Sequence, residues 1–140
     1  MNIHDVDGPE NKTIHGDMLK LIFQRQKELM EKYHPIEKSN GLLITEDCPV
    51  DLDDKKGQQR IKDFAWRVTE ELGEAMNCLK NKPWKQTHME TDKEHFNEEI
   101  ADAFHFFIEL CILIGWDAED LFNYYFRKSE VNKFRQRSNY

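Results

Sequence analysis

An all-α fold, four helices around one core, is what this 140-residue sequence predicts. Apolar residues recur at helical steps of three and four through separate segments. No segment alternates apolar and polar residues as a half-buried strand does. Breakers and caps punctuate the segments where helices should stop or start: His34-Pro35, Pro83, Gly115 and Asp117.

Residues 1–16 are polar, carry Gly8-Pro9 and Gly16, and show no periodicity, which predicts a mobile arm or lid. A first helix is expected from Asp17, as N-cap, to about Tyr33, with Met18, Ile22, Leu29 and Tyr33 as its apolar positions and His34-Pro35 as its end. Residues 35–57, with Pro35, Gly41, Pro49, Gly57 and the acidic run Asp51–Asp54, read as a long connection. A second helix over Gln58–Leu79 carries the stripe Ile61, Phe64, Ala65, Val68, Leu72, Ala75 and Leu79. Lys80–Thr91, around Pro83, reads as a loop. A third helix over Asp92–Ile114 is stopped by Gly115. A fourth, Ala118 to about Phe134, is capped by Asp117, with Glu119 and Asp120 in its first turn. A polar basic tail, 135–140, follows. The length fits one domain, 1–140.

Composition narrows the function classes. Lys and Arg number 20 against 27 Asp and Glu, a formal charge of −7. Such a chain is a poor general binder of phosphate-rich nucleic acid but a good gatherer of cations. Apolar stretches are short and interrupted, so no membrane span is expected, and Met1–Asp5 lacks the basic and apolar regions of a secretory leader. Three scattered cysteines, Cys48, Cys78 and Cys111, suggest neither a disulfide framework nor a zinc cluster, pointing to a reducing cytoplasm.

The third helix carries the most chemistry. From Ile100 to Ile114 it is apolar nearly all round, so it should be buried on most sides. Glu99, Asp102, His105 and Glu109 nevertheless lie along one of its faces. Buried carboxylates need compensation, either from a metal ion or from salt bridges, unless that face opens to solvent. The second helix carries Glu70, Glu71 and Glu74, and Glu71 and Glu74 fall on one side of it. Antiparallel packing of the two helices would gather Glu71, Glu74, Glu99 and Asp102. Four oxygen donors without Cys or paired His select Mg²⁺ or Mn²⁺ and suit phosphoryl chemistry. Lys82, Trp84 and Lys85 offer cations for phosphates and a ring to stack on a base, as do the cations Lys128, Arg135 and Arg137 near the C-terminus, which can also merely complement a helix dipole. Gln26 sits in the apolar stripe of the first helix, where its amide either reads a base edge or marks a half-exposed stripe edge. Glu109 either reaches a base edge, favouring an amino group there, or pairs with a Lys or Arg across a dimer.

These residues carry a resemblance. Glu70-Glu71-x-x-Glu74 followed by Glu99-x-x-Asp102 resembles the signature of the all-α nucleoside triphosphate pyrophosphohydrolases, which include MazG-like enzymes and dimeric dUTPases. Lys82-Pro83-Trp84-Lys85, Asp102-x-x-His105-Phe106 and Tyr125-x-x-Lys128-x-x-x-Asn132-x-x-Arg135-Gln136 resemble elements of the dimeric dUTPases and phage dCTP/dUTP pyrophosphatases. The resemblance implies an enzyme hydrolysing dUTP and/or dCTP to monophosphate and pyrophosphate, the alternative being a MazG-like enzyme acting on other or purine triphosphates. It implies that Glu71, Glu74, Glu99 and Asp102 hold Mg²⁺, with Mn²⁺ also accepted. Glu70 or Glu71 would activate water, and Lys85, Lys128, Asn132 and Arg135 would bind phosphates. Gln26, Trp84, His105 and Phe106 would form the base and sugar pocket. It further implies a homodimer, which the amount of apolar surface on so few helices also favours, and a host cytoplasm if the chain is viral. Ser129, Asn139 and Glu109 depart from the pattern, and Glu109 puts a uracil preference in question.

Overall fold

A computed structural model describes Asp5 and residues 17–138. The expected arm 1–16 therefore lies almost wholly outside the described residues, as do Asn139 and Tyr140. Four helices follow one another: α1 (Met18–Ser39), α2 (Lys55–Asn77), α3 (Lys93–Leu113) and α4 (Ala118–Arg137). No strand occurs among the described residues. None of their helices is long and apolar enough to cross a membrane.

Capping chemistry fixes three of the four starts. The Asp17 carboxylate accepts the Leu19 and Lys20 backbone N–H groups at 2.8 and 3.2 Å. Asp92 accepts from His95 at 3.1 Å. Asp117 and Asp120 form a reciprocal capping box, Asp120 N–H to Asp117 at 2.8 Å and Asp117 N–H to Asp120 at 3.0 Å. At the start of α2 the device is steric. Gly57 lies against the Asp51 backbone so closely that a Cβ there would overlap the Asp51 carbonyl.

Three expectations are corrected. First, α1 does not end at His34-Pro35 but runs through Pro35 to Ser39. Proline removes one backbone donor, a loss that anchoring beyond it offsets. Glu37 accepts a 2.7 Å charge-assisted bond from Arg60 of α2, and Lys38 pairs with Glu46. Second, the inward face of α1 is Leu19, Phe23, Gln26 and Met30, while Met18 is 79% exposed and Tyr33 is exposed. The true stripe lies round the helix from Met18 and Tyr33, because Phe23 and Met30 fill the core. Third, α4 continues to Arg137, so residues 135–137 of the expected tail are helical.

The core joins Phe23 and Met30 of α1, Phe64 of α2, Ile108, Cys111, Ile112 and Leu113 of α3, Ala118 of α4, and Val50 from the connecting loop. Val50 is tied in by its N–H, which donates to the Leu113 carbonyl at 2.8 Å. The closest association is α2 with α3. Phe64 meets Phe106 edge to face, and Glu71 lies beside Glu99 and Asp102. The partner numbers run in opposite directions, so the two helices are antiparallel. The other side of α3 is barer than its composition predicts, with Ile100, Phe104 and Phe107 all exposed.

Candidate active site

Antiparallel packing of α2 on α3 brings the predicted carboxylates together. Donor oxygens of Glu71, Glu99 and Asp102 all lie within 4.8 Å of one another. Glu74, one turn beyond Glu71, is exposed at the edge of the group and within its electrostatic reach. Glu71 Oε2 and Glu99 Oε2 are shut from solvent without a hydrogen-bond partner. Protonation records the conflict. Glu71 is pushed up to about 7, chiefly by desolvation, then by the Glu99 carboxyl alongside it and by the Glu74, Glu99 and Asp102 charges. Asp102 is raised by desolvation and by the Glu99 charge, and Glu74 by its hydrogen bond to and repulsion from Glu99. Two orphaned buried oxygens within a converging, acid-only donor set fit a hard divalent cation. His95, one turn before Glu99, stands 3.6 Å from its carboxylate.

The cluster forms one end of a cleft of about 560 Å³ between α1, α2 and α3. Glu71 and Asp102 line it, together with Gln26, His105, Phe106 and Glu109, all singled out from the sequence. Its other walls are Leu29, Tyr33, Glu37 and Arg67. Arg67 is packed over the rings of Phe64 (4.4 Å) and Phe106 (5.9 Å). At the inner end Gln26 and Glu109 are buried side by side, with Gln26 Nε2 donating to Glu109 Oε2 at 3.4 Å. Glu109 therefore has partners within its own chain, and His34 lies 3.7 Å from its other oxygen. Burial pushes the Glu109 carboxyl up to about 7, against the pull of Arg60 and Arg67. Behind it, Arg60 is buried and spent on Glu37 and on His34, the latter at 3.1 Å.

Other predicted residues are elsewhere in this chain. Glu70 is exposed on α2 and does not line the cleft, because it sits about 100° round the helix from Glu71. Trp84, 76% exposed, and Lys85 stand on the loop between α2 and α3. That loop is pinned by Asn81, whose amide exchanges two hydrogen bonds with the Met89 backbone at 2.7 and 2.8 Å. Lys128 and Asn132 line a shallow groove on α4, and Arg135 follows on the same helix. α4 packs mainly on α1, and none of Trp84, Lys85, Lys128, Asn132 and Arg135 lines the cleft. Arg67 and His95 escaped the sequence reading. Each stands four residues before a cluster carboxylate, the spacing that joins Glu71 to its helix face, so the signal was present.

The fold and the cleft define a helical protein with a candidate divalent-cation centre beside a polar-ended pocket. Over 70 aligned residues the chain is 31% identical to the dCTP pyrophosphatase of Enterobacteria phage LZ5. The alignment covers 42% of this chain and 41% of the phage protein, so the chain spans about two-fifths of the length of that curated relative. No family model matches the chain, and no solved structure matches it.

Proposed function

We propose that the protein hydrolyses a pyrimidine deoxynucleoside triphosphate, dUTP and/or dCTP, to the monophosphate and pyrophosphate in a divalent-cation-dependent reaction. One observation carries the proposal: a single cleft is lined by Glu71 and Asp102, which converge with Glu99 just behind them, and by the buried Gln26–Glu109 amide–carboxylate pair. The likeness to a phage dCTP pyrophosphatase supports the same reading.

Glu71, Glu99 and Asp102, with Glu74 at the edge, would hold Mg²⁺ or Mn²⁺. Bound there, the cation supplies charge neutralisation for phosphate oxygens and acidifies water. The chain's own groups do the rest. Of Glu70 and Glu71, only Glu71 faces the cleft, so of the pair it is the one placed to orient the attacking water and take its proton. The water oxygen joins phosphorus, the bond to the α–β bridging oxygen breaks, and pyrophosphate leaves. Phe106 would form a wall against which a base can lie, His105 would border the sugar, and Gln26, Glu109 and Arg67 would meet the base edge.

Lys85 and Trp84, on the loop joining the two cluster helices, would serve the phosphates and the base, whereas phosphate-binding roles for Lys128, Asn132 and Arg135 of α4 call for a second copy of the chain. α4 presents Phe122, Tyr125, Phe126 and Phe134 to solvent, an apolar face suited to such a copy. A homodimer would then set the α4 cations of one subunit over the cleft of the other.

Product analysis tests the reading. With Mg²⁺ and dCTP or dUTP, equimolar monophosphate and pyrophosphate are expected. Asp102→Asn should lower turnover by at least ~10²-fold, since a lost ligand misplaces the charge that stabilises the transition state. Undiminished activity in EDTA contradicts the reading.

A further inference from the structure

The inner end of the cleft holds a carboxylate that the cation cluster does not use. Glu109 is 4% exposed and stands on α3 two turns beyond Asp102. Its hydrogen bond to Gln26 is long, 3.4 Å, and His34 at 3.7 Å is beyond hydrogen-bonding distance. Arg60, the nearest buried cation, is turned to Glu37 at 2.7 Å and His34 at 3.1 Å. An ionised carboxylate accepts about four hydrogen bonds, so Glu109 keeps acceptor capacity directed at the cleft it lines. Gln26 spends one amide N–H on Glu109, which leaves its carbonyl and its second N–H for a ligand, so Glu109 is the group here that only accepts. Beside these acceptors Arg67 lines the same cleft from α2, bringing only donors. The pocket end thus sets acceptors next to a donor.

On the pyrimidine-nucleotide reading of the cleft, we propose that Glu109 and Arg67 select a base bearing an exocyclic amine beside an unprotonated ring nitrogen, and that this base is cytosine. Glu109 accepts the amine N–H, and Arg67 donates to the adjacent ring nitrogen. Uracil presents the reverse order, a carbonyl where Glu109 needs a donor and an N–H where Arg67 needs an acceptor. A mismatched buried polar edge lowers affinity by roughly tenfold or more. Adenine shares the amine–nitrogen edge on a larger ring system, so it must be compared directly.

Calorimetric titration of the full chain with monophosphates separates base reading from turnover. The ligands are dCMP, dUMP, dAMP and the 2-pyrimidinone deoxynucleotide, which is cytosine without its amine. Titrations run at pH 8, above the value of about 7 to which burial pushes Glu109. dCMP should bind at least ~10-fold tighter than dUMP and the pyrimidinone. Glu109→Gln, whose amide can turn either way, should bring dUMP to within about threefold of dCMP. Equal affinity of the unaltered protein for dCMP and dUMP, or for dCMP and the pyrimidinone, overturns the proposal without recourse to a variant. Tighter binding of dAMP than dCMP overturns the assignment to cytosine. A preference for dCMP without pyrophosphate release from dCTP removes the hydrolytic reading and leaves base selection standing. Turnover of both triphosphates with equal binding of dCMP and dUMP does the opposite.

Discussion

Glu71, Glu99 and Asp102 repel one another when no cation lies between them, and two of their oxygens are buried without partners. Neutralising one should therefore stabilise the protein in EDTA while destroying the cation's grip. At pH 8, above the value of about 7 for Glu71, calorimetric melting of Glu71→Gln should give a higher Tm than the parent in EDTA and no further rise on adding Mg²⁺. A lower Tm in EDTA would show that Glu71 is held by contacts other than a cation. Glu109 gives a pH dependence whose sign follows from its raised value. The folded state keeps the proton up to about 7, and the unfolded chain releases it near the ordinary 4.5. The folded protein thus binds more protons between those limits, and this contribution to stability is lost as pH rises through them. Melting in EDTA should show Tm falling from pH 5.5 to 8, and Glu109→Gln should flatten the fall. The carboxylates were legible because their spacing along each helix is a local fact. The Gln26–Glu109 bond was not, because it joins residues 83 apart that only the packing of α1 on α3 brings together. Gln26 and Glu109 each stood out on its own helix, but neither spacing nor charge names a partner.

At the level of the elements, capping residues were readable and packing faces less so. Asp17 and Asp117 were recognised as N-caps because a short carboxylate before a periodic segment has one local use. The α1 stripe was misplaced because Met18, Ile22, Leu29 and Tyr33 satisfy helical spacing as a sequence, yet the partners of Phe23 and Met30 decide which side turns inward. Pro35 misled for a related reason: the breaker rule is local, whereas the Arg60–Glu37 pair that holds the last turn of α1 comes from α2. The Asp51–Gly57 approach also joins segments that no periodicity links. Gly57→Ala forces a methyl group into the Asp51 carbonyl, and we expect urea unfolding to show a loss of about 1–3 kcal/mol, as for other overpacked sites. An unchanged unfolding midpoint would mean that the loop before α2 moves aside without cost.

For the whole molecule, the four-helix class was legible because four separate periodic segments are divided by breaker-rich connections, even though Pro35 was misread as the end of α1. What lies outside the single chain was not. α4 buries only Ala118 and leaves Tyr125, 74% exposed, among a run of exposed aromatics. If a second copy covers that face, sedimentation equilibrium at micromolar concentration should return twice the chain mass of 16.8 kDa. Phe126→Asp should return one chain mass and reduce turnover, because α4 carries Lys128, Asn132 and Arg135. A monomeric parent with full activity would remove the α4 cations from the site. The central claim, that the cleft joins a cation cluster to a nucleotide pocket for cleavage between the α- and β-phosphates, is tested most directly by ³¹P NMR of dCTP turning over on the Mg²⁺-loaded protein. The account expects the dCMP and pyrophosphate resonances to grow together as those of dCTP decay, and the dCTP resonances to persist over the same interval when Asp102→Asn replaces the parent. Orthophosphate growing with dCDP, or a spectrum that stays unchanged with the parent protein and both dCTP and dUTP, would contradict it.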